Sequence, residues 1–453
     1  MMENQRLRFH ALLILLAAVL WLGLRGFTVQ FLEGPYLQMA TTNSIVVKWR
    51  TNHPAKGLLR FGREPGSQGR ELFDSARLTE HELKIDGLAP GAKYYYSVRA
   101  PFKFLLNRAA GSEFFFRTLP MADAAQPVRI WAIGDSGTAD QNAASVRDSY
   151  AGFSGARTTD VWLMLGDNAY PKGSRFDYER AFFAPFRNIA RNTVAWPTLG
   201  NHDVSLANSL LPEPAYFGLF VLPENGEAGG LPSKTKSYYS FNYGLIHFVC
   251  LDSTQTNLLK QSVMINWLQR DLAASTDQNW LIAFWHHPPY SAGGHDSDLE
   301  PESSLIRSNA LPVLEQYGAD LVLAGHNHCY GRSFMLHGHF GLSRTFADSA
   351  KKAPCQSESG EIPVFCKPAA RGPGEGTIYI VAGSSGQLDA RKLDHPAMTF
   401  SLNVLGSCVI DVQGPRLDFK FLDSTGVVRD RFIIRKGPVG PTPRAQQGSK
   451  LPY

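Results

Sequence analysis

The stretch VRIWAIGDSG, residues 128–137, decides the fold, because a mostly apolar segment runs straight into a Gly-Asp turn. Apolar segments that end in turns recur at 160–165, 246–251, 280–285, 321–324 and 377–382. Helical stretches at 141–153 and 263–274 lie between them. This alternation of apolar strands and helices predicts an α/β domain over residues 127–436, with its sheets covered by helices.

The region before this domain has a different pattern. Residues 30–118 contain short alternating segments, such as 44–50 and 93–99, separated by turn clusters such as Gly87-Leu-Ala-Pro-Gly91. Several short strands within about 90 residues predict a small two-sheet sandwich. Within the α/β domain, the polar segment 337–375 predicts a long surface loop inserted between strands. The Pro-rich tail 437–453 predicts disorder.

The amino terminus carries the pattern of a targeting segment. Arg6 and Arg8 precede an apolar run from Ala11 to Leu24. This run is short for a membrane span, which needs about 20 apolar residues. Residues 1–26 therefore predict a signal peptide or signal anchor, and a buried core helix is the alternative. We expect an exported protein, either periplasmic, secreted or membrane-anchored with its catalytic domain outside the cytoplasm.

Charge and cysteine content narrow the class of protein. The formal net charge is +5, without a run of five basic residues, which argues against a nucleic-acid-binding protein. The chain has five cysteines, too few and too scattered for a disulfide scaffold. Cys355 and Cys366 lie close together in a polar segment and could pair in an oxidising compartment, whereas Cys250 lies in an apolar strand.

Five short segments follow apolar stretches, at the strand ends where open α/β sheets place their ligands. They are Gly134-Asp-Ser-Gly137, Gly166-Asp-Asn-Ala-Tyr170, Gly200-Asn-His-Asp203, Trp285-His-His-Pro-Pro-Tyr290 and Gly325-His-Asn-His328. Each one alone is a weak signal, since Gly-Asp turns and surface histidines are common. Together they supply the oxygen and imidazole ligands of a two-metal site. The candidate ligands are Asp135, Asp167, Tyr170, Asn201, His286, His326 and His328.

In this order, the five segments resemble those of the purple acid phosphatases, within the calcineurin-like metallophosphoesterases. The resemblance implies a fibronectin-like β-sandwich followed by a catalytic domain with two central β-sheets flanked by helices. It also implies an assignment of ligands. Asp135, Tyr170 and His328 would bind the first metal, Asp167 would bridge, and Asn201, His286 and His326 would bind the second. His286 is preferred to His287 because Pro288 and Tyr290 then fit the family's spacing.

One departure from the wider superfamily concerns the first metal. Related metallophosphoesterases open with Asp-x-His, but Gly137 stands here in the place of that histidine, and Tyr170 supplies a substitute ligand. A phenol has a pKa near 10, so it binds well only to a cation strong enough to remove its proton. The exchange therefore predicts Fe(III) in the first site. The second ion is expected to be divalent: Fe, Zn or Mn.

Three further residues are predicted to take part in catalysis. His202 follows a metal ligand and is the candidate acid for the leaving group, and Asp203 could orient it. His295, in a Gly-rich loop, resembles a substrate-contacting histidine of the family. Gly331 departs from the glutamate common at its position, so a carboxylate behind the ligands could be missing.

These features predict an acid phosphatase that hydrolyses phosphate monoesters by attack of a metal-bound hydroxide. The expected substrates are phosphorylated small molecules or phosphoproteins, with no nucleic acid partner and with membrane contact only through an N-terminal anchor. A phosphodiesterase or nucleotidase on the same metals is the alternative within enzymes. A surface binding protein with an idle phosphatase domain is the alternative of another class, although no predicted ligand is missing.

Overall fold

The computed structural model describes residue 10 and residues 29–66, 69–102, 105–124, 126–205, 213–389 and 391–437. Almost all of the predicted targeting segment 1–26 and of the predicted disordered tail 437–453 therefore lies outside the described residues. No helix in the described part of the chain is long and apolar enough to cross a membrane. The chain divides into two compact units, of which the first comprises Met1–Met121, Tyr178–Ala195 and Gly218–Leu222. The second comprises Ala122–Asp177, Trp196–Phe217 and Pro223–Tyr453.

The first unit is built on a β-sandwich. Its strands are β1 (Phe31–Gln38), β2 (Ile45–Ala55), β3 (Leu58–Gly62), β4 (Arg70–Phe73), β5 (Leu78–Ile85), β6 (Lys93–Phe102) and β7 (Leu105–Arg117). They form a three-stranded sheet in the order β1-β2-β5 and a four-stranded sheet in the order β4-β3-β6-β7. The predicted two-sheet, fibronectin-like sandwich is confirmed. Its core contains Trp49, Tyr96 and Phe116, each at most 1% exposed.

Two segments from much later in the chain belong to the same unit as the sandwich strands. The hydroxyl of Tyr96 donates to the carbonyl of Arg191 at 2.7 Å, and that of Tyr36 donates to the carbonyl of Leu219 at 3.0 Å. Buried tyrosine hydroxyls need such partners. Segments 178–195 and 218–222 therefore complete the first unit, which the strand pattern of residues 30–118 did not indicate.

The second unit contains sixteen of the described strands. They are β8 (Val128–Ile133), β9 (Val161–Met164), β10 (Ala195–Pro197), β11 (Tyr239–Tyr243), β12 (Ile246–Cys250), β13 (Trp280–Trp285), β14 (Leu321–Ala324), β15 (Tyr330–Leu336), β16 (Lys351–Lys352), β17 (Gln356–Glu358), β18 (Ile362–Lys367), β19 (Thr377–Ala382), β20 (Met398–Leu402), β21 (Gly406–Gln413), β22 (Arg416–Asp423) and β23 (Val428–Lys436). One eight-stranded sheet has the order β10-β9-β8-β21-β22-β23-β18-β17. The other has the order β11-β12-β13-β14-β19-β15-β16, with β20 paired to β15.

The helices of the described chain are short, apart from two that cover the sheets. They are α1 (Gln141–Ser154), α2 (Arg175–Tyr178), α3 (Arg187–Ala190), α4 (Ala215–Leu219), α5 (Val263–Ala274), α6 (Pro301–Asn309) and α7 (Leu311–Gln316), with a π-helical turn at Glu179–Phe183. Asp140 caps α1 by accepting from two backbone N–H groups, and Ser262 caps α5. Helices α5, α6 and α7 contribute to a core with strands such as β13 and β14. The predicted α/β layout with two central sheets is confirmed.

The segment 337–375 differs from the predicted surface loop. It contains two 3-10 turns (Ser343–Thr345 and Asp348–Ala350) and strands β16, β17 and β18, and β18 pairs in parallel with β23 of the central sheet. A disulfide joins Cys355 to Cys366, as the sequence had suggested. Lys367 on β18 forms a buried ion pair with Asp320 at 2.7 Å. Pairing with buried strands therefore orders a segment whose composition is that of a loop.

Candidate metal centre

The predicted ligands lie in loops that follow strands of both central sheets. The loops after β8 and β9 are tied together by two hydrogen bonds: the N–H of Asp135 donates to the carbonyl of Gly166, and that of Gly137 to the carbonyl of Asp167, both at 3.1 Å. In the other sheet, the N–H of Gly325 after β14 donates to the carbonyl of His286 after β13 at 2.9 Å. Backbone hydrogen bonds therefore fix the turns that carry the side chains.

Three of these side chains come from residues in the left-handed region of backbone conformation. The φ angles are +57° at Asp135, +52° at Asp167 and +66° at His326. For a residue with a Cβ, this conformation costs roughly 1–2 kcal/mol. Such strained positions cluster at functional sites, where surrounding contacts hold them. The chain turns sharply at each strand end and presents the side chain to one common space.

The first group of ligands combines carboxylates, a phenol and an imidazole. We call Asp135, Asp167, Tyr170 and His328 the first cluster. The Tyr170 hydroxyl lies 2.9 Å from Oδ2 of Asp167, 3.2 Å from Oδ1 of Asp135 and 3.4 Å from Nε2 of His328. Nε2 of His328 lies 3.5 Å from Oδ1 of Asp135. Four potential donor atoms therefore face one another.

The second group contains an amide and two imidazoles. We call Asn201, His286 and His326 the second cluster. Oδ1 of Asn201 lies 3.0 Å from Nε2 of His286 and 3.1 Å from Nδ1 of His326, and these two nitrogens lie 3.2 Å apart. The other nitrogen of His286 lies 2.9 Å from the carbonyl of Leu165, which fixes the orientation of this ring.

Asp167 belongs to both groups. Its Oδ2 faces the first cluster, and its Oδ1 lies 3.5 Å from Nε2 of His286 in the second. The side chain is buried, as is that of Asp135. The two clusters are thus adjacent and share one carboxylate, which is the arrangement a two-metal site requires.

The spacing of the donor atoms suits metal ions. Ligand atoms bound to one cation at about 2.0–2.2 Å lie about 3.0–3.5 Å from one another. The distances within each cluster, 2.9–3.5 Å in the first and 3.0–3.2 Å in the second, fall in or next to this range. Carboxylate, phenol, amide and imidazole donors also suit iron, zinc and manganese. The residues therefore fit a two-metal group.

Gly137 explains the exchange of ligands in steric terms. A Cβ at this position would lie 2.4 Å from the backbone nitrogen of Ala169 and 2.6 Å from the carbonyl oxygen of Asp167. A histidine side chain has no room there. The loop after β9 occupies that space and brings Tyr170 to the first cluster instead.

Burial and charge determine the protonation of the first cluster. Burial, together with the negative charges of Asp135 and Asp167, raises the pKa of Tyr170 far above its ordinary value. Burial would also raise the pKa of Asp135, but the hydrogen bond with His328 and the nearby imidazoles lower it overall. The phenol therefore stays neutral unless a strongly polarising cation lies beside it.

Glu300 is a site residue that sequence reasoning missed. Its Oε2 lies 3.2 Å from Nε2 of His326, and its Oε1 lies 2.6 Å from Nδ1 of His295. Burial would raise the pKa of Glu300, but the hydrogen bonds with His295 and His326 lower it to about 2. This carboxylate orients a second-cluster imidazole in the way a carboxylate commonly does behind a metal-bound histidine. The only sign of Glu300 in the sequence is its position directly before Pro301, at the start of α6.

Gln387 is a second residue that the sequence did not single out. Its amide nitrogen lies 3.0 Å from Nε2 of His328, and the side chain also hydrogen-bonds Tyr170. It stands in the loop after β19, a strand of the same sheet as β13 and β14. The run Gly383-Ser-Ser-Gly386 before it contains no acid or histidine, so no ligand pattern pointed to it.

The three predicted catalytic residues lie at or beside the clusters. Nδ1 of His202 lies 2.8 Å from the carbonyl of Pro171, and its ring centroid is 4.5 Å from that of Tyr170. The ring of His295 lies 3.8 Å from that of His326, between centroids. The carboxylate of Asp203 accepts hydrogen bonds from Asn168 and from the N–H of Gly200, so it ties two motif turns together.

His287, the neighbour of the candidate ligand His286, has a different environment. Its Nδ1 lies 2.8 Å from the hydroxyl of Ser253, and burial together with the charges of neighbouring histidines lowers its pKa well below 6.5. Nδ1 of His287 is thus occupied by Ser253, whereas Nε2 of His286 faces Asn201 and His326 in the second cluster. The preference for His286 as the ligand agrees with this geometry.

Comparison with known proteins places this geometry in a family. The family model described as calcineurin-like phosphoesterase matches residues 128–330, which carry every candidate ligand. Purple acid phosphatase 15 of Arabidopsis thaliana is 27% identical over 349 residues, covering 70% of this chain and 55% of that protein. Residues 128–330 thus form a calcineurin-like phosphoesterase domain, and the chain is similar in sequence to the purple acid phosphatases. The resemblance predicted from the five segments is confirmed.

Two further comparisons extend this result. A phosphoenolpyruvate phosphatase of Allium cepa is 27% identical over 314 residues, covering 65% of this chain and 60% of that protein. The structure of a purple acid phosphatase from yellow lupin (Lupinus luteus) seeds matches with a TM-score of 0.68 at 17% identity, covering 89% of this chain and 74% of that chain. The lupin match shows the shared fold. The chain spans 55% and 60% of the length of the two plant proteins matched by sequence.

Proposed function

We propose that the protein is an exported acid phosphatase that hydrolyses phosphate monoesters at a two-metal centre. The observation that supports this proposal is the position of Asp167, whose two oxygens face two separate groups of metal-ligating atoms. Two cations held there would polarise the phosphoryl oxygens and lower the pKa of an attacking water. The substrate class is phosphorylated small molecules or phosphoproteins.

The two clusters favour different cations. The first cluster offers two carboxylates and a phenol whose pKa is raised by burial and negative charge, so only a strongly polarising ion would hold the phenolate. Fe(III) has this property. The second cluster offers a neutral amide and two imidazoles, which suit divalent Fe, Zn or Mn. Five positive charges on the cations would exceed the three negative charges of the first cluster, which favours a dianionic phosphate ester.

The chain's own residues would bind the ester and supply the proton that the leaving oxygen needs. His202 is held by two contacts, from its N–H to Oδ1 of Asp167 at 2.9 Å and from Nδ1 to the carbonyl of Pro171 at 2.8 Å. With Nδ1 occupied, Nε2 would protonate the leaving oxygen. His295 is about one-third exposed and held by Glu300, so it would contact a phosphate oxygen. Asp203 would act through the turn it stabilises.

Export rests on two features of the chain. The N-terminal pattern of basic residues followed by an apolar run is typical of a signal segment. The disulfide between Cys355 and Cys366 suits an oxidising compartment. Both favour a location outside the cytoplasm.

The metal assignment is tested by purifying the exported form, measuring its metal content and recording its visible spectrum. We expect one iron and one divalent ion per chain and a tyrosinate–Fe(III) charge-transfer band. Tyr170→Phe should abolish the band and leave the fold intact, whereas Tyr317→Phe, a partly buried tyrosine elsewhere, should retain it. A colourless parent protein that contains only Zn or Mn would overturn the Fe(III) assignment.

The substrate class is tested on the same preparation. The ratio of kcat/KM for an aryl phosphate monoester to that for the matched aryl phosphate diester is expected to favour the monoester strongly. Equal or faster turnover of the diester would replace the proposed activity with a phosphodiesterase. Absence of turnover in the metal-loaded protein would favour a binding protein.

A further inference from the structure

A cavity in the second unit is lined in part by the segment that crosses from one central sheet to the other. The chain leaves β16 at Lys352, passes through Ala353 and Pro354, and enters β17 of the other sheet at Gln356. The cavity has a volume of about 400 Å³. Small-molecule sites typically measure about 300–1,000 Å³. Its size is therefore that of a binding site for a small ligand.

The cavity is separate from the metal centre. It is lined by Phe334 and Lys352 near the far end of β15, whereas His328 lies two residues before that strand begins. Met335, the pairing partner of Lys352, lies five positions after Tyr330. At about 3.3 Å per residue, Lys352 pairs with the strand roughly 17 Å beyond Tyr330, while the lining of the cavity reaches back to Arg332. None of the candidate metal ligands lines the cavity.

Aromatic and proline rings line the cavity. Phe365 of β18 is 4% exposed, and Phe334 of β15 is partly buried. Pro354 and Pro363 lie on the same lining. Nζ of Lys351 lies over the Phe334 ring, 4.1 Å from its centroid, so the rest of that ring and the other three rings form the apolar surface to which a flat molecule can bind by dispersion contacts.

The charged groups of the lining are cations. Arg332 is neutralised by Asp430 at 2.6 Å. Lys351 pairs with Asp348 at 2.7 Å, but the Asp348 side chain is 92% exposed, so this pair contributes little. Lys352 is exposed and forms no ion pair with any residue that the structure describes. The lining therefore has a net positive charge next to an apolar surface.

Covalent and backbone bonds hold the crossing segment in place. The disulfide joins Cys355 to Cys366, and the N–H of Cys355 donates to the carbonyl of Val364 at 2.9 Å. A site held open in this way loses little conformational entropy when a ligand binds. The site is therefore preformed in the ligand-free protein.

We propose that this cavity binds a small organic anion with a flat apolar body, of the class of aromatic carboxylates. The ring packs against Phe334 and Phe365, and the carboxylate lies at Lys352. This site is independent of the phosphatase centre and does not depend on the proposed activity.

Isothermal titration of the full-length protein with naphthoate tests the proposal, with naphthamide as the uncharged analogue of the same shape. Saturable binding of naphthoate is expected, with naphthamide at least about tenfold weaker. Inorganic phosphate, which would enter the metal centre, should not compete. Equal affinity for the two probes, competition by phosphate, or no saturable binding would each overturn the proposal.

Two variants locate the binding. Lys352→Glu reverses the unpaired charge and should weaken naphthoate about tenfold, whereas Lys260→Glu, an exposed lysine outside the cavity, should not. Thr399→Trp, at an exposed position of the lining, should fill the cavity and abolish binding. Both cavity variants should keep the circular dichroism spectrum of the parent protein. Unchanged affinity in both would show that naphthoate binds elsewhere and would overturn the assignment.

Discussion

The two ligand clusters are adjacent, but their ligands differ in charge. The first cluster joins Asp135 and Asp167 to a buried phenol, so its donors are anionic or become anionic when a cation binds. The second cluster is neutral, and the negative charge nearest to His326 on its outer side is that of Glu300. The comparison teaches that loops at the ends of strands can place two ligand groups of different charge side by side. In the proposed centre, negative charge would contact one ion directly and would lie behind a ligand of the other.

Removing the shared carboxylate should have the largest effect, because it is the one side chain among the predicted ligands that faces both clusters. Asp167→Asn replaces one of the two oxygens of this side chain with an amide nitrogen, which would face one of the two cations. We expect both metals to bind weakly and kcat/KM to fall by more than about 10³-fold, since even residues behind metal ligands contribute about 10–100-fold. Metal analysis and steady-state kinetics measure the two effects.

A matched control is Asp148→Asn on α1, whose side chain is 63% exposed. It should keep the metal content and activity of the parent. If Asp167→Asn retained one metal at full occupancy with unchanged affinity, the carboxylate would serve one cluster only, and the description of a shared ligand would be wrong.

The next prediction separates the clusters. Glu300→Gln removes the negative charge that orients His326 but leaves every first-cluster ligand in place. The affinity for the divalent ion should fall about 10–100-fold. The Fe(III) content and the charge-transfer band should stay as in the parent. Chelator titration followed by metal analysis gives both affinities.

Glu302→Gln, two residues further on in α6, is the control for the loss of a carboxylate near this loop. It should leave both affinities unchanged. Equal loss of both metals in Glu300→Gln would mean that the carboxylate stabilises the loop as a whole, and no change would mean that it does not orient His326.

Sequence patterns located the first cluster more completely than the surroundings of the second. Strands such as Val128–Ile133 and Trp280–Trp285 were predicted with their observed bounds. A continuous apolar run is typical of a strand that is buried on both faces in the middle of a sheet. Ligands that follow such strands are found with them. Glu300 follows no strand, and only the return of its loop toward His326 gives the residue a role.

Strands that depend on tertiary partners were also missed. β15 contains Arg332 and Ser333, so its sequence does not predict a buried strand. It is buried nevertheless, because β19 and β20 pair with it and Asp430 neutralises the arginine. The short strands β16 and β17 consist of lysine, glutamine, serine and glutamate. Their pairing is set by neighbours far away in the chain, which composition and periodicity do not encode.

The layer behind the second cluster contains two further buried titratable groups, Arg307 and His395. Arg307 is 1% exposed, pairs with Asp298 at 2.9 Å and donates to the carbonyl of Pro289 at 2.9 Å. The ring of His395, which is 5% exposed, lies 5.7 Å from that of Tyr290, between centroids. Nδ1 of His395 accepts from the N–H of Ala397, and its Nε2 has no hydrogen-bond partner among the described residues. Lowering the pH should therefore destabilise the layer behind the second cluster first.

The smallest effect we predict follows from His395. Burial, partly offset by the charge of Asp298, lowers the pKa of its imidazole from 6.5 to about 4 in the folded protein. Between these values the unfolded chain binds a proton that the folded chain does not, so the free energy of unfolding falls as the pH falls through this window.

His395→Asn keeps an acceptor for Ala397 and should remove about 2 kcal/mol of this loss, by the usual conversion of pKa shifts. Urea unfolding of the metal-free parent and variant at pH 7 and pH 4.5 measures the difference. Between pH 7 and pH 8 the imidazole is neutral in both states, so the gap between parent and variant should stay constant. The difference in free energy of unfolding between parent and variant should narrow on acidification. If it did not, protons would be taken up elsewhere. The layer behind the second cluster would then be no more acid-sensitive than the layer behind the first.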